Sequence, residues 1–158
     1  MGLVYVQITY VPMPSKARGS LVCGPADLAV IGDAALLDRY LLAVFGSARS
    51  PVEAVRDGKM FAGLIPDTIS VISGFHSPVE AQWHRQLCRR DVGLILAVAR
   101  SLDSLTVRTE WKERLNAGRM LVISPFAAGY NWRTRDSALQ RNRFIAAMAD
   151  AILILCAA

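Results

Sequence analysis

Cysteine and histidine are scarce in this chain, and so are the spacings that would give them chemistry. Its 158 residues hold three cysteines and two histidines. Cys23, Cys88 and Cys156 are far apart, odd in number and without a Cys-x-x-Cys pair. That excludes a disulfide framework and gives a zinc site no spacing support, so the expected metal set is none. The cysteines read as free thiols of a reducing cytoplasm, with Cys88 in an amphipathic helical run and Cys156 in an apolar strand, both expected to be buried. No apolar stretch is long enough to cross a bilayer. The N-terminus lacks the basic segment of a signal peptide, and Gln7 and Thr9 interrupt its apolar run. Internal repeats and low-complexity tracts are also missing. With 53% apolar residues, disorder is excluded and a sheet buried on both faces is favoured.

What is present is positive charge, unevenly placed. The net charge is +5, and from Trp83 to Arg143 twelve Lys and Arg stand against five Asp and Glu. This asymmetry favours a polyanionic partner, and solvated helix faces are the plainer alternative. The length corresponds to one domain. Met1 to Pro25, with a β-type run Leu3–Val11 followed by Pro12, Pro14, Gly19, Gly24 and Pro25, reads as an N-terminal arm leading into a domain over residues 26–158.

The domain alternates strand-like and helix-like runs. Leu28–Ile31, Leu41–Phe45, Thr68–Ile72, Gly93–Val98, Met120–Ile123 and Ala151–Cys156 are strands; Pro51 to Phe61, Pro78 to Arg90, Thr109 to Ala117 and Ser137 to Ala149 are helices. Ser77-Pro78-Val79-Glu80 is the clearest local signal, with a Ser N-cap, Pro at the first helical position and Glu three residues after the cap. The alternation predicts an α/β fold, a Rossmann-like, mostly parallel sheet with helices on both faces.

Three segments follow strands, at the rim where open α/β sheets bind phosphates. Gly46-Ser47-Ala48-Arg49 offers small residues that let backbone amides approach an anion, and Arg49 as a clamp. A tight strand-to-helix turn uses the same residues without any ligand. Ser73-Gly74-Phe75-His76-Ser77 offers Phe75 as a stacking face and His76 as a phosphate or sugar partner. His76 as an acid or base has no carboxylate fixed beside it, because Glu80 is accounted for as the capping-box partner; His84, one turn from Glu80, is expected to pair with it on the surface. The third segment joins Tyr130, Trp132, Arg133 and Arg135 to Arg141, Asn142 and Arg143, with arginines for phosphates and aromatics for stacking. Its structural alternative is Trp132 covering the core edge, with the arginines paired to acidic neighbours.

The order Val44-Phe45-Gly46-Ser47, Ser73-Gly74, His84-Arg85, Ser124-Pro125-Phe126 and Arg141-Asn142-Arg143-Phe144-Ile145-Ala146 resembles the DNA-processing protein A family (DprA, also called Smf) from about Leu28 to the end. The resemblance implies a Rossmann-like domain that binds single-stranded DNA, helps load a recombinase during natural transformation and forms homodimers. It places Gly46, Ser47, Arg49, Ser73, Gly74, Arg141, Asn142 and Arg143 at or near an anion pocket. The chain departs from the family pattern at Ala48, inserted before Arg49, at Phe75-His76-Ser77, which lacks the loop arginine, and at Ala99-Arg100-Ser101, which lacks two glycines. The expectation is a noncatalytic single-stranded DNA or nucleotide binding protein without a cofactor. A nucleotide-binding or nucleoside monophosphate processing enzyme of the wider Rossmann-like group is the alternative, although its glycine-rich phosphate signature is not present as such.

Overall fold

The computed structural model describes residues 7–20 and 25–157. Its elements are β1 (Thr9–Pro12), β2 (Asp27–Gly32), β3 (Leu41–Gly46), α1 (Val52–Ala62), β4 (Ser70–Ser73), α2 (Pro78–Leu87), β5 (Gly93–Ala97), α3 (Thr109–Asn116), β6 (Met120–Ser124), α4 (Arg135–Met148) and β7 (Ala151–Cys156). The strands form one sheet in the order β1-β2-β6-β5-β4-β3-β7. From β6 to β7 all neighbours are parallel. The fold is thus the expected α/β, Rossmann-like one, with a mixed sheet.

The mixture comes from β2, which runs antiparallel to β6 and to β1. The sheet is mostly parallel, as expected, and the connection after β2 supplies the reason for the reversal there. A parallel β2 would end at the far rim and need a crossover to reach the start of β3, usually a helix. Residues 33–40 hold only a 3-10 turn over Ala34–Asp38, capped by Asp33 through its bond from the Ala35 amide at 3.0 Å. An antiparallel β2 ends on the same rim where β3 begins, so this short link runs along the sheet's edge. The Leu3–Val11 run lies partly outside the described residues; its described part enters β1, and the following Met13 and Ala17 are buried in the core.

Period-2 alternation divides the buried strands between two cores. Ile72, Ile95, Ala97, Leu121 and Ile123 face Phe144, Ile145 and Met148 of α4. On the opposite face Val44, Val71 and Leu94 meet Val79, Trp83 and Leu87 of α2, while Leu96, Met120 and Val122 meet Trp111 of α3. Helices therefore cover both faces. The capping box at Ser77 is present as read: Ser77 Oγ accepts from the Glu80 amide at 3.2 Å and Glu80 Oε2 from the Ser77 amide at 3.3 Å. A second box starts α4 two residues earlier than expected, because Thr134 and Ser137 exchange side-chain-to-amide bonds at 3.0 and 2.9 Å. Ser137 is thus the third helical residue of α4, with Thr134 as the cap.

Asp150 closes the turn between α4 and β7. Its Oδ2 accepts from the Leu41 amide at 2.8 Å and its Oδ1 from Lys16 Nζ at 2.9 Å, and these bonds, the backbone one first, hold its carboxyl below the usual value of 3.8. A depressed carboxylate contributes stability that is present above the unfolded pKa and lost as pH falls through the folded one. Asp150→Asn is therefore expected to lower unfolding free energy by about 1 kcal/mol at pH 7, a modest figure because the side chain is one-third exposed. Urea unfolding of both proteins should show the difference shrinking below pH 4.

Candidate anion-binding pocket

The parallel strands end on one rim, and three of them end in the same device. Ser47 Oγ, just after β3, accepts from the Arg49 amide at 3.1 Å. Ser73 Oγ at the end of β4 accepts from Phe75, and Ser124 Oγ at the end of β6 from Phe126, each at 3.1 Å. Each serine satisfies the amide two residues on and turns the chain sharply out of the sheet.

Between α2, the β5–α3 loop and the start of α4 this rim encloses a cavity of about 540 Å³, within the range of small-ligand sites. Its apolar side includes Phe75, Leu96, Val98, Leu105 and Trp111. Its polar side carries Arg85, Arg100, Arg108, Arg133 and Arg141, with Glu110 as the sole acidic lining residue among those described. Two loops are pinned together to make the wall. Ser101 and Ser104 hydroxyls both donate to Asn131 Oδ1, at 3.1 and 2.9 Å, and the Gly129 amide donates to Asp103 at 2.6 Å.

Arg141 is the pocket's unusual member. It is only 5% exposed. Its Nε and Nη2 share one acceptor, Asn142 Oδ1, at 3.1 and 2.9 Å, while its Nη1 is buried without a hydrogen-bond partner. Burial pushes its pKa down, with Glu80 opposing. Gly74 makes room for it: a Cβ there would stand 2.5 Å from Arg141 Cζ. The next residue, Phe75, takes a left-handed φ of +50°, which a residue with a side chain adopts only under constraint from its surroundings.

Glu80 ties this wall to the neighbouring strand end. Besides capping α2, its Oε2 accepts from the His76 amide at 2.9 Å and its Oε1 from the Gly46 amide at 2.9 Å. The Gly46 amide is thus satisfied by a protein carboxylate. A Cβ on Gly46 would overlap Val79 Cγ1, so this glycine is required for the approach of α2 to β3. The expected surface pairing of His84 with Glu80 is likewise corrected, because every bond of the Glu80 carboxylate is to backbone. His84 instead faces the Phe75 ring at 4.9 Å and the Cys88 sulfur at 3.7 Å. Cys88 and Cys156 are free and only half-buried; Cys23 lies outside the described residues.

A profile for DNA recombination-mediator protein A matches residues 8–158. The chain belongs to this family. Among solved structures, DNA processing protein A (DprA) from Streptococcus pneumoniae aligns over 94% of this chain and 54% of its own, at 17% identity and a TM-score of 0.72. DNA processing protein A from Helicobacter pylori, whose structure is described in terms of its single-stranded DNA binding mode, aligns over 95% of this chain and 69% of its own, at 23% identity and a TM-score of 0.72. At these identities the likeness is one of fold. The chain spans about half the length of the pneumococcal protein. No curated protein matches the chain significantly.

In this family member the structure brings Gly74, Phe75, His76 and Arg141 to the cavity wall. Gly46, Ser47 and Arg49 belong to the adjoining β3–α1 turn, Ser73 and Ser77 are buried supports on either side of Gly74-Phe75-His76, and Asn142 orients the Arg141 guanidinium. Trp132, at 75% exposure, does not cover the core edge, and Arg143 is exposed on the outer side of α4. Arg85, Arg100, Arg108 and Trp111 complete the pocket without having been foreseen in it. Arg100 and Arg108 lie in an irregular loop where no periodicity assigns a direction to a side chain. Only the local excess of arginine, already visible between Trp83 and Arg143, pointed their way.

Proposed function

We propose that the protein binds single-stranded DNA through this pocket, with a phosphate on Arg141 and the flanking arginines and a base against Phe75 and Trp111. One observation carries the reading: a buried guanidinium with an unpartnered Nη1, held in a wall of further arginines. Such a group is costly for the folded chain alone and is satisfied by an anionic oxygen. Binding of this kind serves recombination or DNA uptake, with a recombinase and a second copy of the chain as partners and the cytoplasm as its compartment. Family membership and the single-stranded DNA binding described for the H. pylori protein support the DNA-binding part of this reading. Fluorescence anisotropy with a single-stranded oligonucleotide tests the reading. Affinity should fall with salt at a log–log slope of about −0.7 per phosphate contacted; a flat response would contradict it.

The nucleotide alternative draws on one feature, a cavity of about 540 Å³ with arginines on its polar side. Thermal shift separates the two, since stabilisation by mononucleotides but not by oligonucleotides would favour the alternative.

The pocket histidines give the site a pH signature. Burial lowers the pKa of both His76 and His84 from 6.5; Arg141 adds to the effect on His76, which Glu80 opposes, and Arg114 to that on His84, which Glu110 opposes. Both are therefore neutral at pH 7 in the free protein, and a bound phosphate favours their protonated forms. Affinity should therefore rise as pH falls from 7.5 to 5.5. Titrations across that range, repeated with His76→Ala, should show the rise diminished in the variant. Folding stability moves the opposite way, because groups with depressed histidine pKa values bind fewer protons folded than unfolded as pH falls below 6.5.

A further inference from the structure

The cavity leaves a second set of residues unused on the outside of α4. Arg135, Leu139 and Arg143 recur at four-residue spacing, which places them along one side of a helix. All three are exposed, Leu139 by 50%. Trp132 stands beside the start of this stripe, three residues before Arg135. Asp136, exposed in the same first turn, is the acidic group nearest in sequence.

Two features argue that the stripe is built for an anionic chain. Arg135 occupies the first turn of α4, where the helix dipole favours a negative side chain and opposes a positive one. With Arg133 just ahead of the cap, the helix start gathers positive potential. Trp132 is the second feature, since Trp83 and Trp111 are buried while this indole lies open in solvent beside arginines, the combination on which unpaired bases stack. The stripe is also continuous with the pocket, because Arg133 and Thr134 line the cavity and the residues on either side of them are Trp132 and Arg135.

We propose that a single strand seated in the pocket leaves it over the start of α4 and runs along this outer stripe, one base stacked on Trp132 and phosphates on Arg135 and Arg143. Eight residues of helix separate the two arginines, about 12 Å at 1.5 Å per residue. That corresponds to roughly three to four nucleotides at the ~3.4 Å rise of a stacked strand. The path rests on the pocket reading and adds a length requirement to it: a dinucleotide fills the pocket only, whereas a longer strand reaches the stripe.

Oligothymidylates of two and twelve residues, titrated against the whole chain, test this. The twelve-mer should bind at least tenfold more tightly, quench tryptophan fluorescence through Trp132, and lose about tenfold in affinity with Trp132→Ala or with Arg135→Ala/Arg143→Ala. The dinucleotide should be indifferent to all three substitutions, which lie at exposed positions and leave the fold intact. Equal response of the twelve-mer to wild type and to these variants, with Arg141-dependent binding preserved, would overturn the path and leave the pocket standing. If neither oligomer binds, or if both bind regardless of Arg141, the pocket reading fails and the path with it.

Discussion

Arg141→Met is expected to abolish most single-stranded DNA binding while leaving the protein as stable as before, or more stable. The affinity loss follows from removing the buried cation of the pocket: charge-assisted bonds to a phosphate are worth about 1.5–3 kcal/mol each, so a ten- to hundredfold weakening is expected from even a single lost contact. The stability result has the opposite sign from the usual effect of a core substitution. Arg141 is buried with Nη1 unbonded and with a single acceptor, Asn142 Oδ1, for its other nitrogens. A methionine of similar length removes that uncompensated burial. Gly74→Ala provides a geometric counterpart, because its methyl displaces the guanidinium without changing any charge. Anisotropy titrations and urea unfolding of the same two variants read both halves of the expectation.

Arg114→Met should do the reverse, destabilising the fold by about 3 kcal/mol, or roughly 6–12 °C in Tm for a chain of this size, with little direct effect on DNA. Arg114 is as buried as Arg141 is, but its Nη1 donates to the carbonyls of Cys88 and Arg90 at 3.1 and 2.8 Å and its Nη2 to those of Val92 and Arg119 at 2.6 and 3.2 Å. Only Nε lacks a partner. One side chain on α3 thereby closes the end of α2 onto β5 and the turn into β6, and its loss takes a bond from each of four carbonyls, of which that of Arg119 keeps the Leu94 amide. Differential scanning calorimetry checks the shift. Two buried arginines, one bonded to four carbonyls and one to a single side-chain amide, thus separate a structural role from a ligand-binding one by their partners alone.

The elements of the fold were largely readable from local rules, because those rules concern neighbours in sequence. Ser77 and Glu80 announce the start of α2 through a bond three residues long, and Val71-Ile72 or Leu94-Ile95-Leu96 reveal two-sided burial through their unbroken apolar run. The direction of β2 was not readable. It depends on which rim the residue 33–40 link must reach, a property of the assembled sheet. The same distinction separates the parts of the site. The serine-glycine turn at Ser73-Gly74 and the Arg141-Asn142 pair stand out as short motifs, and the structure sets Gly74 under the guanidinium. Glu80 was readable as a cap, but its third bond, to Gly46 across thirty-four residues, follows only from the packing of α2 on β3. That packing also explains why the Gly46-Ser47 turn supports the rim and does not line the cavity.

The claim that joins these observations is that the Arg141 pocket seats a phosphate of single-stranded DNA, and a paired titration tests it most directly. A labelled twelve-residue oligothymidylate is titrated with wild-type protein and with Arg141→Met at two salt concentrations, with the unfolding free energy of both measured in parallel. Salt-sensitive binding by the wild type, a loss of tenfold or more in the variant, and no loss of stability are the expected results. Undiminished binding by a stably folded Arg141→Met protein would contradict the claim.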